Sequence, residues 1–167
     1  MLCSLKKFKK LAIDGFTLIE LMIVIALIGI LSAAGTYQFS RFLKKTAIEK
    51  QTKSLYGDLM ELRSKGVFEK KSRGVRLTAK GYSIYSSVTM DSVNPLEAKV
   101  LSATIIWNNS GDIILDAQGY VQSTLSSICA KDSNPADFDS LVVSTSRIRI
   151  GKLKEGANCD TAHIDAR

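Results

Sequence analysis

Histidine is almost absent from this chain: His163 is the one imidazole in 167 residues. It sits in a polar C-terminal tail, where it reads as a solvated side chain. The three cysteines show no CxxC or Cys/His ligand spacing, so the sequence offers no metal site. A Ser-His-Asp set cannot be built around one tail histidine. Phosphate-binding loops are missing as well, since Gly66, Gly74 and Gly81 are widely spaced and fall at hairpin turns. The one candidate carboxylate pair is Asp112 and Asp116, which share a face of a short strand. At strand ends, aspartates more often cap turns. No internal repeat or low-complexity tract stands out. The expectation is no enzyme activity and no cofactor.

Charge is also missing from one long stretch. Between Asp14 and Arg41 the only formal charge is Glu20. The apolar run from Phe16 to Phe39 would extend about 36 Å as a helix at ~1.5 Å per residue, enough to cross a bilayer core. A carboxylate in hydrocarbon is costly, so Glu20 needs a partner. Ahead of the run lie Lys6, Lys7, Lys9 and Lys10, then Gly15 directly before Phe16. A secretory signal would place its small residues after the apolar core, and Ser32-Ala33-Ala34 is the one such candidate. Arg41, Lys44 and Lys45 follow the run, so flanking positive charge barely sets an orientation.

The segment Gly15-Phe16-Thr17-Leu18-Ile19-Glu20, with the apolar run behind it, resembles the processing motif of type IV prepilins and pseudopilins. The resemblance implies that prepilin peptidase cuts after Gly15 and methylates the new N-terminus at Phe16. Residues 1–15 are then a removed leader, and 16–39 form the transmembrane and filament-core half of an N-terminal helix. It also implies an inner-membrane protein with its C-terminal domain in the periplasm, later built into a pilus or pseudopilus with other pilins. The free amine of Phe16 would be cationic near neutral pH. A buried carboxylate is tolerable beside such a cation, and in the family the matching Glu meets the N-terminal amine of a neighbouring subunit. Glu20 is the expected assembly residue.

Past the run, Ile48, Thr52, Leu55, Leu59 and Leu62 recur at spacings of four and three, one stripe on a helix. The stripe should pack on the protein's own sheet, and Gly66 is a plausible stop. The exported half of the helix is therefore placed at 40–66. From there the period changes to two. Residues 74–77 and 81–85 read as a hairpin turning near Lys80-Gly81, and Lys99 to Trp107 as one longer strand. Asn108-Asn109-Ser110-Gly111 is a turn before a strand over 112–116. Ala117-Gln118-Gly119 turns again before 120–122. A loop covers 131–139, and 141–143 with 147–150 form a last hairpin. Trp107 and the tyrosines are expected in the core or in strand pairs. A long N-terminal helix, its first half transmembrane, packed on an antiparallel β-sheet head at 67–167 is an α+β pattern, and pilin-like.

Cys129 and Cys159 remain as an even pair on the exported part, where disulfides are favoured. Two free thiols are the alternative. A bridge closing about thirty residues would contribute about 3 to 4 kcal/mol by chain entropy. The strand order, this late cysteine pair and Ser146-Arg147-Ile148-Arg149 resemble the GspH/FimT-like minor pilins and pseudopilins. Some members used in DNA uptake carry a Gly-Arg-x-Arg-x-Arg stretch there. Arg147 and Arg149 match its first two arginines. Ser146 replaces the Gly, and Gly151 stands where the third Arg would be, with Lys152 next. Tyr37 stands where many pilins have a Pro.

On a strand, Arg147 and Arg149 would point to one face and Ile148 and Ile150 to the other, with Lys152 extending the cationic stretch. The net charge is +7; loss of the leader's four lysines and one aspartate leaves about +4, a mild excess. Solvated arginines on an amphipathic strand are the competing reading. If this strand contacts DNA, Arg147→Ala with Arg149→Ala weakens binding and flattens its salt dependence. Unchanged binding across a salt series would remove the idea.

Overall fold

The structure is a computed structural model that describes residues 15–122, 126–131 and 134–166. The basic leader ahead of Gly15 and part of the expected 131–139 loop lie outside the described residues. The chain divides into two units, residues 1–39 and 40–167.

Helix α1 (Leu18–Glu69) runs through both units. Neither proline of the chain falls within it, so no amide donor is missing from its ladder. Among the described residues of the first unit every large apolar side chain is exposed, Phe16 at 89% and Leu31 at 72% among them. An 18-residue window there reaches a mean hydropathy of 2.5, and by length and composition the helix can cross a membrane. Apolar exposure on that scale is not a property of a surface in water.

Among the described residues, the second unit holds the rest of α1 and nine strands. Its helix is amphipathic as the spacing predicts: Ile48, Thr52, Leu55, Leu59 and Leu62 are all buried. Gly66 does not end the helix. The chain continues to Glu69, and Lys70 takes the left-handed conformation at φ 52°. The Lys71 amide then donates to the Gly66 carbonyl at 3.0 Å, a Schellman-type closure with Lys70 in the position glycine usually fills. Gly66 thus supplies the carbonyl that closes the helix.

Strands β1 (Arg73–Thr78) and β2 (Gly81–Tyr85) form the expected hairpin. Gly81 is fixed by crowding, since a Cβ there would lie 2.3 Å from the Lys99 carbonyl oxygen. The single strand expected over 99–107 is two strands in two different sheets. β3 (Glu97–Val100) pairs with β2, whereas β4 (Ile105–Trp107) pairs with β6 (Ser126–Ala130). Gln51 of α1 explains the break. Its Oε1 accepts from the Ala103 amide at 2.8 Å and from Ser102 Oγ at 3.3 Å, while its Nε2 donates to the Ala103 carbonyl at 3.4 Å. A buried side-chain amide therefore takes the place of a strand partner where the chain changes sheets.

β5 (Asp112–Leu115) lies antiparallel to β1 and completes a four-stranded sheet in the order β3-β2-β1-β5. The expected strand over 120–122 is reduced to one bridge, Leu115 with Val121. β7 (Ser140–Val143), β8 (Ile148–Leu153) and β9 (Ile164–Ala166) follow β6 in a five-stranded sheet, β4-β6-β7-β8-β9. Two of its strands, β6 and β9, were not anticipated. One core joins the helix stripe to both sheets, with Leu55, Leu59 and Leu62 among Val75, Ile84, Ile113, Ile128 and Leu141. Cys129 and Cys159 form a disulfide that ties β6 to the segment before β9.

A second tie is polar. Asp58 on α1 accepts from Lys99 Nζ at 2.8 Å and from the Tyr82 hydroxyl, joining α1 to β2 and β3. Burial, with help from that hydrogen bond, pushes the Tyr82 phenol above its usual range. A raised value of this kind stabilises the fold fully below the unfolded-state pKa of about 10. The contribution is lost as pH rises through the folded value. Alkaline absorbance titration should therefore show Tyr82 ionising only as the head unfolds, and Tyr82→Phe should remove that late phase. Leu59 is fully buried, and Leu59→Ala should cost about 2 to 5 kcal/mol, read as an earlier denaturant midpoint for the head.

Candidate functional site

The start of α1 is built by a short reciprocal cap. Thr17 Oγ1 accepts from the Glu20 amide at 3.3 Å, and Glu20 Oε2 accepts from the Thr17 amide at 3.2 Å. The Thr17 hydroxyl also donates to Glu20 Oε2 at 3.0 Å, and the Thr17 carbonyl receives the Leu21 amide at 3.2 Å. Threonine followed three residues on by glutamate is a capping box, which satisfies otherwise orphaned amides at a helix start. The carboxylate also stands where the helix dipole favours negative charge. Thus Glu20, the one charge in the apolar stretch, has Thr17 as a partner within its own chain. The Thr-x-x-Glu spacing was legible in the sequence, but attention to the membrane cost of Glu20 hid its local use. Gly15 and Phe16 precede the helix and are exposed.

Residues 12–36 match the family model for the prokaryotic N-terminal methylation motif. The fold is similar to that of the type IV minor pilin FimU from Pseudomonas aeruginosa, seen in a crystal structure. That likeness has a TM-score of 0.53 at 18% identity, over 65% of this chain and 91% of that one. The chain is type IV pilin-like. Motif and fold together support its place in the type IV pilin and pseudopilin superfamily. No curated protein matches it.

The structure separates the C-terminal residues of this pilin-like protein that the sequence grouped together. Arg147 precedes β8, and Arg149 lies within it; both are exposed. The Arg147 carbonyl accepts from the Ser144 amide at 2.8 Å and from Ser144 Oγ at 2.7 Å, which closes the β7–β8 turn. Lys152 does not extend their surface. Along β8 it falls in register with Ile148 and Ile150, opposite to Arg149, and its Nζ is 2.6 Å from Asp139 Oδ2. Position 151 has no room for a third arginine: a Cβ on Gly151 would lie 2.4 Å from Ile164 Cγ2 and 2.9 Å from the Asp165 carbonyl oxygen. The basic stretch is therefore two exposed arginines and one lysine committed to a buried carboxylate.

Asp139 is the residue that the sequence did not single out. Its side chain is 2% exposed and accepts from Lys152 Nζ, Asn134 Nδ2, Ser140 Oγ and the Leu153 amide. The other aspartates play structural parts. Asp112 holds Arg76 through two hydrogen bonds of 2.9 and 3.0 Å. Asp116 caps a turn by accepting the Gln118 and Tyr120 amides. His163 is exposed, with Nδ1 2.8 Å from Asp160, and this hydrogen bond holds the Asp160 carboxyl below its usual range. Among the described residues no group of three or more His, Cys, Asp or Glu could hold a metal ion.

Proposed function

We propose that this chain is a minor pilin or pseudopilin subunit of a type IV filament machine, serving either pilus assembly or type II protein secretion. It is made as a precursor, cut between Gly15 and Phe16 by prepilin peptidase and methylated at Phe16. Residues 16–39 hold it in the inner membrane with the C-terminal domain in the periplasm, and the same segment enters the filament. What carries the reading is the conjunction at the start of α1: a methylation motif, a lone carboxylate at the helix cap, and an apolar surface exposed on all sides. A helix apolar all round needs lipid or other helices about it. The minor-pilin form draws support from FimU, which is described as a type IV minor pilin.

Glu20 then has two successive partners. In the free subunit it is held by Thr17. In the filament it pairs with the Phe16 amine of a neighbour, a cation that exists only after the cut. Glu20→Ala should leave membrane insertion and processing intact, because the apolar run and Gly15 are unchanged, yet abolish incorporation into filaments. The check is fractionation of membrane and sheared filaments, with the mass of the mature N-terminus read on both. Wild-type levels of Glu20→Ala in filaments would sink the assembly role. An unprocessed N-terminus in the wild type would sink the prepilin reading.

A further inference from the structure

The surroundings of Asp139 contain more chemistry than an ion pair requires. Three side chains from the loop before β7 and from β8 meet there. Asp139 Oδ2 is shared: it lies 2.6 Å from Lys152 Nζ and 3.1 Å from Asn134 Nδ2. Lys152 Nζ is also 3.4 Å from Asn134 Oδ1. An amine, a carboxamide and a buried carboxylate that touches both are the parts needed for amide exchange. The fourth part is a donor for the carbonyl oxygen, and the Ala136 amide donates to Asn134 Oδ1 at 3.1 Å. That bond also fixes which end of the carboxamide faces Asp139. Beside the cluster lies a cavity of about 230 Å³ lined by Asn134, Asp139, Lys152 and Gly156 among others, room enough for a small leaving group.

We propose that Lys152 and Asn134 become joined by an isopeptide bond inside the folded head, with Asp139 as the proton carrier. Asp139 takes a proton from the Lys152 ammonium, and the freed Nζ lone pair attacks Asn134 Cγ. The carbonyl electrons move to Oδ1, where the Ala136 N–H stabilises the developing charge, as a preorganised donor does in acyl transfer. Asp139 gives its proton to Nδ2 and takes one from the new Nζ–Cγ nitrogen. The Cγ–Nδ2 bond breaks and ammonia departs, carrying off the extra proton as ammonium. One amide replaces another, so no oxidant or reductant is needed. The fold holds Lys152 Nζ 3.4 Å from Asn134 Oδ1 and 3.2 Å from the Asn134 carbonyl oxygen, so amine and carboxamide meet as parts of one chain and the entropic cost of bringing them together is already met.

Asn134 is also shielded from the usual competing loss of ammonia. Attack on its Cγ by the following backbone nitrogen requires an N–H, and residue 135 is proline, which has none. The succinimide route to loss of ammonia is therefore closed at Asn134.

The test uses the full-length protein extracted from membranes in detergent, reduced and digested with trypsin. Cross-linking yields a branched peptide joining 132–147 to 150–154, uncleaved at Lys152 and lighter than its two parts by one ammonia. Lys152→Arg, which keeps the cation beside Asp139, should abolish the branched species. Asp139→Asn should slow its appearance after synthesis by at least tenfold. Recovery of the two linear peptides alone from the folded wild-type protein, with cleavage after Lys152, would overturn the proposal. A cross-link that forms in Asp139→Asn as fast as in the wild type would overturn the role of Asp139. Neither result depends on filament assembly.

Discussion

One helix has to satisfy two solvents, and the rest of the structure depends on how it does so. An α-helix meets its backbone hydrogen bonds internally, which is the condition for entering hydrocarbon. In the first unit the apolar side chains described on α1 are exposed all round and pack on nothing in the chain itself. From Ile48 onward the same backbone carries a stripe, and Leu55, Leu59 and Leu62 form the floor on which both sheets pack. The change is made by side chains alone, with no break in the ladder between Leu18 and Glu69.

Because the head is built on one stripe, its two sheets need further ties to it and to each other. Gln51 supplies one by bonding to both backbone groups of Ala103 where the chain leaves the first sheet for the second. Asp58 supplies another through Tyr82 and Lys99. The disulfide and the buried Asp139 hold the far side of the second sheet. Each is a polar or covalent tie at a place where apolar contact alone would leave several arrangements equivalent. Burying these groups unpaired would be costly, so the partners fix the register as well as the fold.

The uneven legibility of the sequence follows from the same facts. The helix stripe was readable because its opposite face is wet, and the β1–β2 hairpin because buried Val75, Leu77, Tyr82 and Ile84 alternate with the less buried Arg76 and Ser83, which leaves a period of 3.6 or 2 in the side chains. β6 was not readable, since Ser126 to Ala130 are all buried and a strand covered on both faces does not alternate. The break at 101–104 was hidden because its cause, Gln51, lies about fifty residues away on another element. Gly66 misled because glycine is the usual terminator, whereas here Lys70 takes the left-handed position one turn later. At the helix start the motif was plain and the local hydrogen bonding of Glu20 was overlooked. On β8 the run of basic residues suggested one surface, but alternation puts Lys152 on the opposite face from Arg149.

The cap at Thr17 bears on how a charged residue could belong to the proposed apolar filament core. A carboxylate entering hydrocarbon alone would meet the full desolvation cost. In the capping box, Glu20 Oε2 already accepts two hydrogen bonds from Thr17, so the free subunit carries its charge in a satisfied form. In the proposed assembly, the amine of a neighbouring Phe16 must offer more than Thr17 does. The bonds from Thr17 to the carboxylate are already charge-assisted, so what the amine adds is its own positive charge, which pairs the buried carboxylate. The difference between those two partners, and not the whole cost of burying a carboxylate, is then what drives the exchange. On that proposal, a modest margin of this kind would let a subunit rest in the membrane and still favour the filament once a processed neighbour is present.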